Sequence, residues 1–269
     1  MSVMTTPLVS GRGDWKIYSI CMLTRFSIAT WNLERVAVRS WKKLPAIQSR
    51  IAAVSADCWV LTETRTSITP GNDYFGVHSP PHLSRGRDPD EHWVSVWSRW
   101  PLKVVPIRMT PWSTTALVDG EFGQLIIHGL VLPYQREPST DGRKSLHWAE
   151  FSIELSNQAA DWATIRREYP DTPLVVAGDF NQNLDGAQWY GNDKTRHSLK
   201  LALDGAGLDC LTMEDVVAAG KLKRNHLVDH ICVSNDLTRD YEVECWDQFG
   251  ADGREITDHP GVVARVSVG

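Results

Sequence analysis

The sequence predicts an α/β fold in which two sheets pack face to face with helices outside. Three observations predict it. Segments with strand alternation and segments with helical spacing take turns along the chain. Many of the strand segments are joined by short turns rather than by helices, which favours paired sheets over one doubly wound sheet. No internal repeat, linker or change of composition divides the 269 residues, so one domain accounts for them.

Residues 26–34 read as a strand, because Phe26, Ile28 and Thr30 alternate with Ser27, Ala29 and Trp31. Residues 41–54 space Leu44, Ile47, Ile51 and Val54 as a helix does, with Pro45 near the start, where proline is tolerated. An apolar run at 58–61 predicts a buried strand ending at Glu63. Residues 66–90 are rich in Pro, Gly and Asp and read as a loop, with a short strand near 74–77. Strands follow at 93–97, 102–107 and 115–118, then a stronger one at 125–132. After a polar loop at 135–144, residues 145–167 form a long helix with Phe151, Leu155, Ala159, Trp162 and Ile165 on one face. Residues 174–178 read as a buried strand and 197–205 as a helix, and 226–234 and 261–268 are the closing strands.

The domain is placed at 26–269, and residues 1–25 are read as a leader. Lys16 before the apolar stretch 17–23 resembles a signal peptide, but Tyr18 and Ser19 interrupt it and no small-residue cleavage site follows. The expectation is a disordered leader, or a true start at Met22.

Composition narrows the class. No apolar run reaches the roughly 18 residues that cross a bilayer, so no stable membrane insertion is expected. A net charge of −5 and a pI near 6.0 argue against gripping long nucleic acid by charge alone. They leave short, local or lipid phosphates open. The cysteines, Cys21, Cys58, Cys210, Cys232 and Cys245, form no CxxC pair. Their odd number fits a reducing, cytoplasmic setting better than a disulfide framework, with secretion as the alternative.

Polar residues interrupt the rows that should face a core. Asn32 and Glu34 end the even row of the first strand, and Glu63 ends the row Trp59, Leu61. Asp179 and Asn181 end the row Val175, Ala177. Asp229 sits among Leu227, Ile231 and Val233, and Asp258 and His259 open the last strand. Singly, each has an ordinary reading: a turn residue for Asn32, Asn181 or Asp258, a solvated strand end for Glu34, a loop cap for Asp179. Together, unpaired buried carboxylates are costly, and convergence on one site is the simplest way to satisfy them all.

The ordered series TWNLE (30–34), TET (62–64), GDFN (178–181), VDHICVS (228–234) and TDHP (257–260) resembles the endonuclease/exonuclease/phosphatase superfamily. The resemblance runs over nearly the whole chain. It implies the deoxyribonuclease I fold, a four-layer α/β/β/α sandwich of two mixed sheets flanked by helices. It implies that Glu63 is the main metal-ligating carboxylate, with Asp258 a second and Glu34 an additional one. It assigns Asp179 to orienting or deprotonating the attacking water, with Asn181 and Asn32 at the phosphate. His259 would contact the phosphate and Asp229 would orient that histidine. The implied activity is metal-dependent hydrolysis of phosphate esters with Mg2+, for which Mn2+ is a possible substitute. A phosphodiesterase or nuclease comes first, and a phosphomonoesterase or lipid phosphodiesterase is the alternative. The partner is a phosphorylated substrate, nucleic acid among the candidates; no protein partner is inferred. The chemistry suits these residue types, since a cation offsets the repulsion between the anionic ester and the attacking oxygen, and magnesium prefers oxygen ligands.

One departure stands out. Many relatives place a His or Tyr where this chain has Val131, so the leaving-group acid is missing or replaced, with His128 and Tyr134 as neighbouring substitutes. A family member that binds a phosphorylated ligand without turnover is therefore the alternative from another class. Lys221, Lys223 and Arg224, just before the Asp229 strand, are expected to help hold substrate phosphate. His226 and His230 flank Asp229 as zinc ligands could, but alternation puts them on the opposite face from it. Of the 12 Trp residues, Trp112, Trp189 and Trp246 are the candidates for exposure near a cleft.

Overall fold

The computed structural model describes residues 24–81, 88–138, 145–235, 237 and 240–268. The expected leader lies outside them except for Thr24 and Arg25, which open the first strand. In chain order the elements are β1 (Thr24–Asn32), α1 (Lys43–Val54), β2 (Cys58–Arg65), β3 (Phe75–His78), β4 (Glu91–Ser98), β5 (Leu102–Val104), β6 (Ser113–Gly120), β7 (Gly123–Val131), α2 (Ala149–Glu168), β8 (Leu174–Asp179), α3 (Asp193–Gly205), β9 (Leu208–Cys210), β10 (Asp229–Ser234), β11 (Tyr241–Trp246) and β12 (Gly261–Val268). They build two six-stranded sheets, ordered β11-β12-β1-β2-β4-β3 and β5-β6-β7-β8-β10-β9.

Each sheet contains one parallel pair, β1 with β2 and β7 with β8. A parallel pair needs a crossover connection, and α1 and α2 supply it. Strand alternation then sorts the apolar residues. Phe26, Ile28, Val60, Ile127, Val175 and Ile231 meet between the sheets. Trp31, Trp59 and Leu61 face out and cover Ile47 and Ile51 of α1. Leu130, Leu174 and Val176 face out beneath Phe151, Trp162 and Ile165 of α2 and Leu199 of α3. The result is the predicted four-layer sandwich of two mixed sheets with helices on both outer faces. No helix among the described residues is long and apolar enough to cross a membrane.

Two strands escaped the sequence reading. β9 is only three residues long. In β11, Glu242 and Glu244 lie on the exposed side of an edge strand, which dilutes its apolar signal. The structure also starts α3 four residues earlier than predicted, because the Asn192 side chain accepts from Thr195 N and the Thr195 hydroxyl accepts from Asn192 N in a reciprocal cap.

Gly178 explains how the second parallel pair reaches the site. Its φ is +140°, and a Cβ there would lie 1.9 Å from the Leu130 carbonyl oxygen. The close approach lets β8 pair with β7 up to Val131 and Asp179. Gly178→Ala is expected to destabilise the fold by about 3 kcal/mol or more, read as a lowered urea midpoint at an unchanged m-value.

Candidate active site

The carboxyl ends of both parallel pairs open at the same end of the sandwich. β1 ends in Asn32, β7 in Val131 and β8 in Asp179. Asn32 joins the two sheets: its Nδ2 donates to Glu63 Oε1 at 3.2 Å and to Asp179 Oδ2 at 3.1 Å. Its Oδ1 accepts from Glu34 N at 2.9 Å, so every polar atom of the amide is engaged.

Glu63 reaches this point against the alternation of its own strand. Trp59 and Leu61 face α1, and a regular β2 would turn Glu63 the same way. Glu63 instead adopts φ +45°, a left-handed conformation uncommon outside glycine, and its carboxylate meets Asn32 on the inner side. Arg35 Nε donates to Glu63 Oε2 at 2.8 Å, and the Arg35 guanidinium lies 5.8 Å from the centre of the Trp93 ring. Burial raises the Glu63 pKa, with Arg35, Asn32 and His259 opposing the shift.

Asp179 and Asp229 are directly opposite each other in the β8–β10 ladder, an arrangement that disfavours two like charges. His259 relieves it. Its Nδ1 lies 2.6 Å from Asp229 Oδ2. Burial alone would lower the His259 pKa, but Asp229, Asp179 and Asp258 raise it to about 10, which keeps the imidazole protonated near neutral pH. Burial raises the Asp179 carboxyl above its usual range, while His259 pulls it down. Asp179 Oδ1 accepts from Asn181 N at 2.8 Å. Asn181, at φ +50°, donates its Nδ2 to Asp179 Oδ2 at 3.1 Å and to Leu132 O at 2.9 Å.

The last segment is tied to the first. Thr257 Oγ1 donates to Asn32 O at 2.7 Å, and Trp31 Nε1 donates to His259 O at 2.9 Å. These bonds set Asp258 and His259 over the cleft, with His259 Nε2 3.9 Å from Asp258 Oδ1. The cavity holds about 350 Å3, and Glu63, Asp179, Asn181, Asp258 and His259 line it together with Arg35, Tyr134, Trp93, Trp112, Trp189 and Tyr190.

The donor set fits a divalent cation. Glu63, Asp179 and Asp258 line the same cavity. Ligand atoms of Asp179, Asp229 and His259 also lie within 4.8 Å of one another, but a protonated His259 has no lone pair to offer, so the carboxylates are the donors. Asp229 is fully buried, and its Oδ1 has no hydrogen-bond partner among the described residues. Hard carboxylate oxygens in this number suit magnesium or manganese better than zinc.

Several expected residues lie elsewhere. Glu34 turns away from the cleft, because Glu34 and Arg35 both take positive φ; its carboxylate pairs with Lys43 at 2.9 Å on the surface. His128 occupies an even position of β7, which faces α2. It is fully buried, with Nδ1 2.8 Å from Thr115 Oγ1 and Nε2 2.6 Å from Gln158 Oε1, so it cannot meet a substrate. Lys221, Lys223 and Arg224 are exposed but do not line the cavity, and Lys221 is paired with Glu214. Trp246 is core, 5.6 Å from Trp31 and 6.1 Å from Trp59. Tyr134, Trp112 and Trp189 line the cleft; Trp189 is 49% exposed, whereas Trp112 is buried with its ring stacked on that of Trp93. Val131 lines it too, as an apolar side chain with no proton to give.

His230 and His226 serve separate tasks. His230 is buried on the outer face, with Nε2 2.9 Å from Gln182 O. His226 Nδ1 lies 2.6 Å from Asp185 Oδ2 and 3.5 Å from Asp215 Oδ1, and its ring lies 6.0 Å from that of Trp189. The two aspartates also accept turn amides, Asp185 from Ala187 and Asp215 from Val217 and Ala218, so this trio braces the rim of the cleft. Arg35, Trp93, Glu137 and Tyr190 also line the cleft and were not singled out by the sequence reading; for Arg35, the position directly after Glu34 of the TWNLE segment is the available signal.

His128 also makes a pH test. Burial, with Arg108 adding to it and Gln158 opposing, lowers its pKa from 6.5 to about 4. The imidazole is therefore neutral in the fold but protonated in the unfolded chain between these values. The stability it contributes is present above pH 6.5 and lost as pH falls toward 4. His128→Gln is expected to flatten the loss of stability over that window by roughly 1–3 kcal/mol, read from urea midpoints at each pH.

Two mixed sheets with carboxylates and a histidine gathered at the ends of their parallel strands define an acidic-cleft α/β sandwich. The sequence matches the endonuclease/exonuclease/phosphatase family over residues 29–259, and the chain belongs to that family. No curated protein matches the sequence. Among solved structures, the endonuclease domain of TRAS1, a telomere-specific non-LTR retrotransposon, superposes with a TM-score of 0.60 at 14% identity, covering 91% of this chain and 99% of that one. The human Nocturnin catalytic domain with bound sulfate gives 0.59 at 16% identity, over 91% and 95%. Truncated Caenorhabditis elegans TDP2 gives 0.57 at 13% identity, over 91% and 98%. At these identities the likeness is one of fold.

Proposed function

We propose that this protein is a magnesium-dependent phosphodiesterase of the cytoplasm that cleaves nucleic acid. The observation that carries the reading is the convergence of Asn32, Glu63, Asp179, Asn181, Asp229, Asp258 and His259, from both sheets, on one cavity. Glu63 and Asp258 would hold the cation, with Asp179 beside them. When bound, it supplies positive charge that offsets the charge developing on the phosphoryl and leaving oxygens.

The chain's own groups divide the remaining tasks. Asp179, made more basic by burial, takes a proton from the attacking water. Asn181 and Asn32 spend their amide hydrogens on Asp179, Glu63 and Leu132 O, so they aim the base. His259, held protonated and oriented by Asp229, donates to a non-bridging phosphate oxygen. Val131 offers no acid, so the leaving oxygen relies on the cation, on water and on the nearby Arg35 guanidinium. Nucleic acid is preferred over a lipid or a small phosphomonoester because Trp189, Tyr190 and Tyr134 line the cavity beside the carboxylates, and flat rings of this kind stack with bases.

The test is hydrolysis by purified protein of plasmid and single-stranded DNA, RNA, a phosphomonoester and a phospholipid, each with magnesium, manganese or chelator. Metal-dependent cleavage of a nucleic acid is the expected outcome. Cleavage confined to the phosphomonoester or the phospholipid would replace the substrate class. Binding without cleavage across the panel would favour a ligand-binding family member and implicate Val131.

A further inference from the structure

Away from the cleft, the outer face of the second sheet brings two thiols together. Cys210, the last residue of β9, is the register partner of Cys232 in antiparallel β10. Partners in such a pair send their side chains to the same face, about 4.5–5.5 Å apart at Cα, within the span that a disulfide closes. Cys232 is fully buried, whereas Cys210 is partly exposed and lines a groove beside α3. Cys210 Sγ lies 3.6 Å from Thr212 Oγ1, and that hydroxyl lies 2.9 Å from His230 Nδ1.

We propose that Cys210 and Cys232 form a reversible redox pair, in which Cys210 is the peroxide-reactive thiol and Cys232 resolves it to a disulfide. The Cys210 sulfur attacks one oxygen of a hydroperoxide, giving Cys210 sulfenic acid and an alcohol, or water when the oxidant is hydrogen peroxide. The Cys232 thiol then displaces hydroxide from that sulfur, so one disulfide forms and one water leaves. The two sulfurs together lose two electrons and the peroxide bond gains them.

The surroundings separate this pair from the other described cysteines. The Cys232 thiol, His230 and Thr212 stabilise a Cys210 thiolate against its burial and lower its pKa, and the thiolate is the reactive form. Burial pushes Cys58 up to about 12 and Cys245 up to about 11, so both are internal controls. Low pKa, partial access and an adjacent resolving thiol are the features of a peroxide-sensing cysteine.

The full-length protein would be treated with hydrogen peroxide, blocked with N-ethylmaleimide, unfolded and mapped by peptide mass. The expected result is a 210–232 disulfide, reversed by dithiothreitol, with Cys58 and Cys245 still reduced. In Cys232→Ser, dimedone is expected to trap a sulfenic acid on Cys210. Native Cys210 is expected to react with iodoacetamide at least about tenfold faster than Cys245 at pH 7. Oxidation of Cys245 as fast as Cys210, or recovery of Cys210 and Cys232 as free thiols after peroxide, would overturn the proposal.

Discussion

Asp179→Asn is expected to lower the rate of hydrolysis at least about a thousandfold while leaving the fold intact. The size follows from how much of the site depends on this one carboxylate. It is almost fully buried, faces Asp229 across the ladder and accepts from Asn32, Asn181 N and Asn181 Nδ2. An amide of the same shape can keep some of these hydrogen bonds but cannot accept the proton of an attacking water. The substitution also removes one of two opposed carboxylates, so the fold should lose little stability and could gain some. The measurement is kcat/KM on the cleaved substrate beside the urea midpoint. A large loss of activity with an unchanged or raised midpoint is the expected pair. Retained activity would remove Asp179 from the role of base.

The parts of the site that the sequence disclosed are those where strand alternation continues into the cleft. In β8, Val175, Ala177 and Asp179 share the inner face, and in β10, Ile231 and Val233 share it with Asp229, so a carboxylate in an apolar row was visible from spacing alone. Alternation misleads where the backbone leaves the extended region. Spacing groups Glu63 with Trp59 and Leu61, yet its positive φ carries it to the other side of the sheet. Spacing groups Glu34 with Asn32, yet two successive left-handed residues send it to the surface and bring Arg35 to the cleft. Neither position holds a glycine, so nothing in the residue types announced the change. His128 shows another limit. A histidine in an apolar strand reads alike whether it faces a cleft or a helix, and only α2, through Gln158, decides between them. The fold was more legible than the site because it rests on many repeated periodicities, whereas the site rests on single residues at strand ends.

The pairing of Glu63 with Arg35 leads to the second large expected effect. The proposed function gives Glu63 to the cation, yet in this structure its Oε2 accepts from Arg35 Nε at 2.8 Å. A guanidinium and a divalent ion compete for one carboxylate, so each weakens the other's hold. Glu63→Gln is expected to weaken binding of Mn2+, used as the probe ion, at least about tenfold and to reduce hydrolysis about a hundredfold or more. Arg35→Met should act in opposite directions on the two readouts. Mn2+ should bind more tightly once the competing charge is gone, while kcat should fall about tenfold if the guanidinium helps hold the leaving oxygen or the phosphate. Calorimetric titration of Mn2+ into each variant measures the first quantity, and hydrolysis at saturating metal measures the second. Opposed shifts in Arg35→Met would show that the guanidinium covers a cation ligand and also acts on the substrate. If both readouts fell together, Arg35 would be holding Glu63 in its left-handed conformation, and its contribution would be to the shape of the site rather than to its charge.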